Sequence, residues 1–270
     1  MHFCVFVCFT TKAIHLELAS DLSAQTCIAA LKRFIARRGK PKEIFSDCGT
    51  NFIGAKIFLR SWELETIGHY LSNEGIKWTM NVPSAPHFGG LWEATVKSMK
   101  FHMKGVIGSQ ILSQEEFSSS LAEIEAVLNS RPLVAASDDP NDFSVITPGH
   151  FLIGSELKSV LEPDYTSEKI LIQERWKLVA QISQSFWKSW SKDYLTQLQV
   201  RNKWKIPSAE LNVNDLVLIK DNLSPLKWKM ARVVHTYKGT DDRIRAVNLK
   251  TVSGEMKRSI HKLVRLPVND

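Results

Sequence analysis

The chain has 270 residues, 44% apolar and 23% charged, an ordinary soluble composition with room for a full-sized core and one to three domains. Its formal charge of +7 is uneven: residues 1–167 hold 15 Lys/Arg against 18 Asp/Glu and residues 168–270 hold 20 against 10, or −3 and +10. That split fits a basic module that meets a polyanion, nucleic acid ahead of an anionic membrane, joined to a domain with another task. Cys4, Cys8, Cys27 and Cys48 form no CxxC pair and no tight Cys/His group, so neither a zinc finger nor a disulfide framework organises the chain, and a reducing compartment is the simpler setting.

In chain order, "HFCVFVCFTT" is apolar on both faces and predicts a buried central strand; it is too short to span a bilayer and lacks the flanks of a signal peptide. "AIHLELAS" alternates and predicts its hairpin partner. Ile28, Leu31 and Ile35 recur at helical spacing in "DLSAQTCIAALKRFIARRGK", with Ser23 to cap the start and Gly39 to end it. A strand "KEIFSD", a helix "GAKIFLRSWELETIGHYLSNEG" and a strand "IKWTMNV" follow. Pro83 and Pro86 then hold an extended loop ahead of Gly89-Gly90 and a helix that carries Glu93. The order β-β-α-β-α-β-α describes a mixed sheet flanked by helices.

Ser113 and Glu116 form a capping box for a helix that Pro132 terminates. Residues 133–167 read as irregular. A long helix is expected from about 168 to 203, with Trp176, Val179, Ile182, Phe186, Trp190, Tyr194 and Leu198 along a packing face. Beyond Pro207, four short strands separated by turn residues fit a small barrel.

Two carboxylates stand out. Asp47 closes a strand in "FSDCGTNF", and Glu93 opens the helix one strand later. Each has a plain reading: an Asp before x-Gly makes a turn, and a Glu in a first helical turn complements the dipole. Together they place hard oxygen ligands for Mg²⁺ where ligands gather beyond the ends of α/β strands. Lys97, Lys100 and Lys104 follow Glu93 at four, seven and eleven residues, on one helical face, as a phosphodiester backbone beside a metal site requires. The plainer account of Lys97 is an i,i+4 pair with Glu93 on an exposed helix. His87, just before the glycines, is a candidate for metal or DNA contact, although a lone loop histidine is more often just hydrogen-bonded.

"IFSDCGTNFIGA", "PSAPHFGGLWEATVKSMK", "LNSRPL" and "TPGHFLIG" together resemble the integrase core of BEL/Pao-type LTR retrotransposons, relatives of retroviral integrases with a ribonuclease H-like fold. "RWKLVAQISQSFWKSWSKDYLTQLQVRNKW" and "NVNDLVLIKDNLSPLKWKMARVV" resemble the domain that follows that core, so the resemblance covers nearly the whole chain. It implies metal-dependent 3′-processing and strand transfer on DNA, with Mg²⁺ or Mn²⁺, two ions in the complete site. Asp47 matches the second catalytic carboxylate and Glu93 the third. Lys97 and Lys100 are placed by the element's DNA end, and Asn51 joins the DNA-facing candidates.

The match fails in places. The family's first catalytic Asp lies on a strand before "FCVFVCFTT", and no residue here replaces it; Asp21 belongs to the start of the next helix. Cys48 stands where Asn is usual, and the amino-terminal zinc-binding module has no counterpart. This chain alone is therefore expected to be inactive. The "FCVFVCF" and "EIFS" strands, left without the ladder they would share, are expected to re-pair or to be bridged by another chain or segment.

In 168–270, basic residues interleave with aromatics, as in "FWKSW" and "LKWKMAR". In the helix the rings read as packing face; in the barrel Lys227, Lys229 and Arg232 are expected to contact DNA. The expected architecture is thus α/β. Residues 1–155 form a ribonuclease H-like catalytic core lacking its first strand, 156–206 a linker and long basic helix, and 207–270 a small SH3-like basic β-barrel. The expected function is DNA integration, and the alternative is a non-catalytic DNA- or chromatin-binding remnant recruited by the host. A cellular ribonuclease H-type nuclease is the weakest reading. Expected partners are element-end and target DNA, with a homo-oligomer compatible and neither membrane nor small-molecule substrate called for. The expected location is nucleus or cytoplasm, without secretion.

Overall fold

The computed structural model describes residues 2–66, 75–81, 90–137, 139–171, 173–199, 211–240 and 243–266. The chain divides into two compact units, Met1–Glu125 and Ala126–Asp270.

In the first unit, β1 (His2–Val7) pairs antiparallel with β2 (Ile14–Ala19), Phe3 opposite Leu18 and Val7 opposite Ile14. α1 (Ala24–Arg38) starts where the Ser23 hydroxyl accepts the Thr26 N–H at 3.2 Å, and it stops at Gly39, whose φ of +89° is cheap only for glycine. β3 (Glu43–Ser46) runs parallel to β4 (Lys77–Met80), with α2 (Thr50–Thr66) as the crossover. α2 lies so close to α1 that a Cβ on Gly54 would stand 2.7 Å from the Ala24 Cβ. Cys27, Ile28 and Ala55 fill this contact, with Phe52 and Trp78 beside them. α3 (Gly90–Ile107) packs against β1. α4 (Gln114–Asn129) begins with the expected capping box: Ser113 Oγ accepts the Glu116 N–H and the Glu116 carboxylate accepts the Ser113 N–H.

The strands of this unit differ from expectation in one respect. Instead of one mixed sheet, the described residues form an antiparallel pair and a separate parallel pair, and β1 and β3 do not hydrogen-bond to each other. β1 is therefore half-buried rather than a fully buried central strand, because one of its edges has no ladder partner among the described residues. On one side Phe6 stacks on Phe34 of α1 at 4.4 Å, and past the strand end Phe9 meets Phe45 of β3 at 5.0 Å.

The second unit is built on a five-stranded antiparallel sheet, in the order β10-β9-β8-β7-β11. Its strands are β7 (Leu216–Ile219), β8 (Lys229–Lys238), β9 (Ile244–Thr251), β10 (Gly254–Ser259) and β11 (Leu263–Arg265), one more than the four expected. The extra strand arises because a 3-10 turn at Ile260–Lys262 splits "EMKRSIHKLVRL" in two. One core gathers Val217, Ala231, Val233, Val247, Leu249 and Leu263. A second gathers Leu216, Leu218, Met230, Val264 and Leu266 with Leu195 of α6 (Arg175–Leu198). Val145, from the short hairpin of β5 (Val134–Ala135) and β6 (Val145–Ile146), completes that core.

The segment read as a linker helix is thus part of this unit's packing. Val179, Ile182, Phe186 and Trp190 are buried as expected, but Trp176 is 64% exposed, in the first turn ahead of the covered part of the helix. Trp228 is wedged among Trp187, Trp190 and Tyr194, with ring centroids 4.8 to 6.3 Å away. Three polar atoms of the cluster find partners: Trp187 donates to the Leu223 carbonyl, Trp228 to Ser130 and Tyr194 to the Pro132 carbonyl.

Candidate functional site

Asp47 follows β3 directly, at the end of the parallel pair where both chains leave the sheet in the same direction. Its carboxylate accepts the Gly49 N–H at 2.8 Å, the turn expected of Asp-x-Gly, and remains exposed. A Cβ on Gly49 would lie 2.7 Å from Asn51 Oδ1 and 3.1 Å from Asp47 Oδ1, so these side-chain ends would have to swing aside. The same clash places the Asn51 amide oxygen next to the Asp47 carboxylate, so the structure brings these two candidates together.

The strand ends beneath them are tied firmly. The Asn81 N–H donates to the Ser46 carbonyl at 2.8 Å, extending the ladder by one residue. Trp78 Nε1 donates to Ser46 Oγ at 2.9 Å. The Cys48 thiol donates to the Asn81 carbonyl at 3.0 Å, so the residue that departs from the resembled pattern ties the Asp47 turn to the segment leaving β4.

Glu93 lies in the first turn of α3 and is exposed. At 100° per residue Glu93, Lys97, Lys100 and Lys104 fall within an arc of about 60°, and all four are exposed while Met99, His102 and Met103 turn inward. The stripe read from spacing is therefore a solvent-facing surface with one acid and three cations. His87 lies outside the described residues. Among the described residues no group of three or more His, Cys, Asp or Glu is arranged to hold a metal ion.

The three cations of the second unit that were expected on DNA separate. Lys227 is exposed. Lys229 pairs with Asp221 at 3.0 Å. Arg232, expected on DNA, is 6% exposed; its Nη1 donates to the Asn214 carbonyl at 3.0 Å and its Nη2 to those of Asp139 and Asp142 at 2.8 and 2.9 Å. A guanidinium enclosed by three carbonyls is a structural tie and cannot reach a phosphate.

Sequence reading missed a polar node in the first unit. His15 and Glu17 of β2 are 4% and 3% exposed. His15 Nε2 faces Glu17 at 2.9 Å and its Nδ1 faces Glu125 of α4 at 3.1 Å. Arg33 and Arg37 of α1 reach Glu17 at 2.5 and 3.0 Å, and Arg38 reaches Glu125. Burial pushes the Glu125 carboxyl up, but the His15 hydrogen bond, the Leu16 N–H and the His15 and Arg38 charges outweigh it and hold the group below the usual range. The available signal was the i, i+2 pair in "HLE" next to arginines at helical spacing in "RFIARR".

Residues 174–266, which take in α6 and β7 to β11, match a family described as a family of unknown function (DUF5641). No curated protein matches the chain. Among solved structures, the chain is similar to one in the cryoEM structure of the simian T-cell lymphotropic virus intasome in complex with PP2A regulatory subunit B56 gamma. The identity is 14% and the TM-score 0.39, and the match covers 98% of this chain and 72% of that one. At that level the likeness assigns no activity. No described helix is long and apolar enough to cross a membrane.

Proposed function

We propose that this is an integrase-derived polypeptide of the BEL/Pao retrotransposon type, whose family chemistry is phosphoryl transfer on DNA and which is catalytically incomplete as given, without the first of the three carboxylates. Its architecture in this reading is a ribonuclease H-like core followed by an SH3-like barrel. The observation that carries the reading is the setting of Asp47: exposed at the C-terminal end of a parallel strand pair, where α/β ligands collect, with the Asn51 amide beside it. The Glu93 helix begins ten residues beyond the end of β4, the partner strand, and its exposed lysine stripe suits a phosphodiester backbone. The ribonuclease H-like reading also requires a strand between β1 and β3, and each of them keeps an edge without a ladder partner among the described residues.

Asp47 and Glu93 are exposed hard-oxygen donors, the type and number that Mg²⁺ takes from a protein when substrate phosphate oxygens complete its shell. Such an ion, or Mn²⁺, supplies Lewis-acid stabilisation of the phosphoryl oxygens. The chain's own share is to hold Asp47 rigid through the Gly49 turn and the Cys48 bond, and to fix the DNA strand with Lys97, Lys100 and Lys104.

A second reading, a non-catalytic DNA-binding remnant, rests on the lack of any residue here that replaces the resembled family's first catalytic Asp. Glu93→Gln separates the two. Under the first reading the parent, supplied with a chain or segment that brings the missing first carboxylate, joins strands in an oligonucleotide assay with Mg²⁺ or Mn²⁺ and the variant does not. Under the second the parent chain joins nothing, and the variant binds DNA as well as the parent or better.

A further inference from the structure

The sheet of the second unit has a surface that neither its cores nor the proposed chemistry uses. On β8, His235 and Tyr237 are two residues apart, hence on one face, and both are exposed. Their rings meet edge to face at 4.7 Å. Across the ladder, His235 stands opposite Asn248 and Asn248 opposite Lys257; Tyr237 stands opposite Ala246 and Ala246 opposite Ser259. The Lys257 ammonium reaches over the Tyr237 ring, 3.7 Å from its centroid. The inward face of the same strands holds Val233, Val247 and Leu249, so these rings are not core residues set slightly too far out. The acid nearest in register, Glu255, accepts from the Asn248 amide at 2.9 Å.

An exposed tyrosine ring with a cation held on it, in a unit holding 22 Lys/Arg against 16 Asp/Glu, is complementary to a strand that offers both flat bases and phosphates. We propose that this outer face of β8–β10 binds an unpaired polynucleotide segment. A base stacks on Tyr237, and Lys257, which occupies the ring in the free protein, moves to the adjacent phosphate. An exposed cation–π contact is weak beside base–aromatic stacking, so the exchange runs in the direction of binding. A duplex is the poorer occupant, because its bases are already stacked and paired. The proposal rests on the nucleic-acid reading above, but assigns a surface different from the one expected at Lys227, Lys229 and Arg232.

The test uses the full chain, with fluorescence anisotropy on oligothymidylate and on a duplex of equal length over a range of salt. Tyr237→Ala is expected to weaken oligothymidylate binding about 5- to 100-fold with little change on the duplex, and Tyr237→Phe to bind as the parent does. Lys257→Ala is expected to lower the single-strand salt slope by about 0.7; it decides the matter alone if Tyr237→Ala does not fold. Parent-like single-strand binding and salt slope in these variants overturns this site and leaves the DNA reading intact. So does an equal loss on a polyglutamate peptide, which marks a generic anion surface. A parent chain that binds neither oligonucleotide at low salt overturns both.

Discussion

Arg232 carries a basic residue's sequence signature and a core residue's task. Three backbone carbonyls, from Asn214, Asp139 and Asp142, depend on its guanidinium, and its Nε is buried without a hydrogen-bond partner. Replacing it removes the side-chain donor from the Asn214 and Asp142 carbonyls and leaves the Asp139 carbonyl only the Asp142 N–H, at about 1–3 kcal/mol for each acceptor left unsatisfied away from water. Arg232→Met is therefore expected to lower stability by about 2–4 kcal/mol in urea unfolding, while DNA affinity of the folded fraction stays at the parent value. A drop in affinity with unchanged stability would return Arg232 to the binding surface.

At the scale of elements, β2 shows how alternation misleads when both faces are covered. Its His15 and Glu17 are the polar members of the alternation, yet they are buried by charged residues from α1 and α4. Burying carboxylates costs several kcal/mol unless they are paired, so this node holds three elements together only while its charges match. Glu125 sets a sign for the pH dependence. Its folded carboxyl lies below the ordinary range, so the stability it contributes is complete above about pH 4.3 and is lost as the pH falls through the lower folded value. As the pH falls from about 4.3 towards that lower folded value the parent should lose up to about 1.4 kcal/mol per pH unit from this group. Glu125→Gln should lack that component in urea titrations at stepped pH; identical slopes would show that the carboxylate is not anchored.

At the scale of the whole molecule, the charge asymmetry is smaller than the sequence split suggests. The first unit holds 13 Lys/Arg against 12 Asp/Glu and the second 22 against 16, or +1 and +6. The acidic stretch 126–167 folds into the basic unit and uses some of its cations, as where Lys188 meets Asp164 at 3.0 Å. A count of lysines thus overstates how many phosphates the chain can neutralise. Binding to duplex DNA should fall linearly in log–log with salt. Lys227→Ala should reduce the slope by about 0.9, and Lys188→Ala should leave it unchanged; equal effects would mean that the Asp164 pair opens on DNA.

What could be read without coordinates was local. The Ser23 and Ser113 caps, the Gly39 stop, the turn at Asp47 and the lysine stripe after Glu93 each follow from interactions spanning a few residues. Such effects are set by the chain's own geometry before any distant contact forms. What lay beyond that reach needed partners far apart in the chain: Arg232 with Asp139, His15 with Glu125, and Trp228 with α6. A charged or aromatic side chain looks the same in the sequence whether it ends in water or in a core. Only the folding of distant segments against it settles which, because burial depends on what packs there and not on the residue itself.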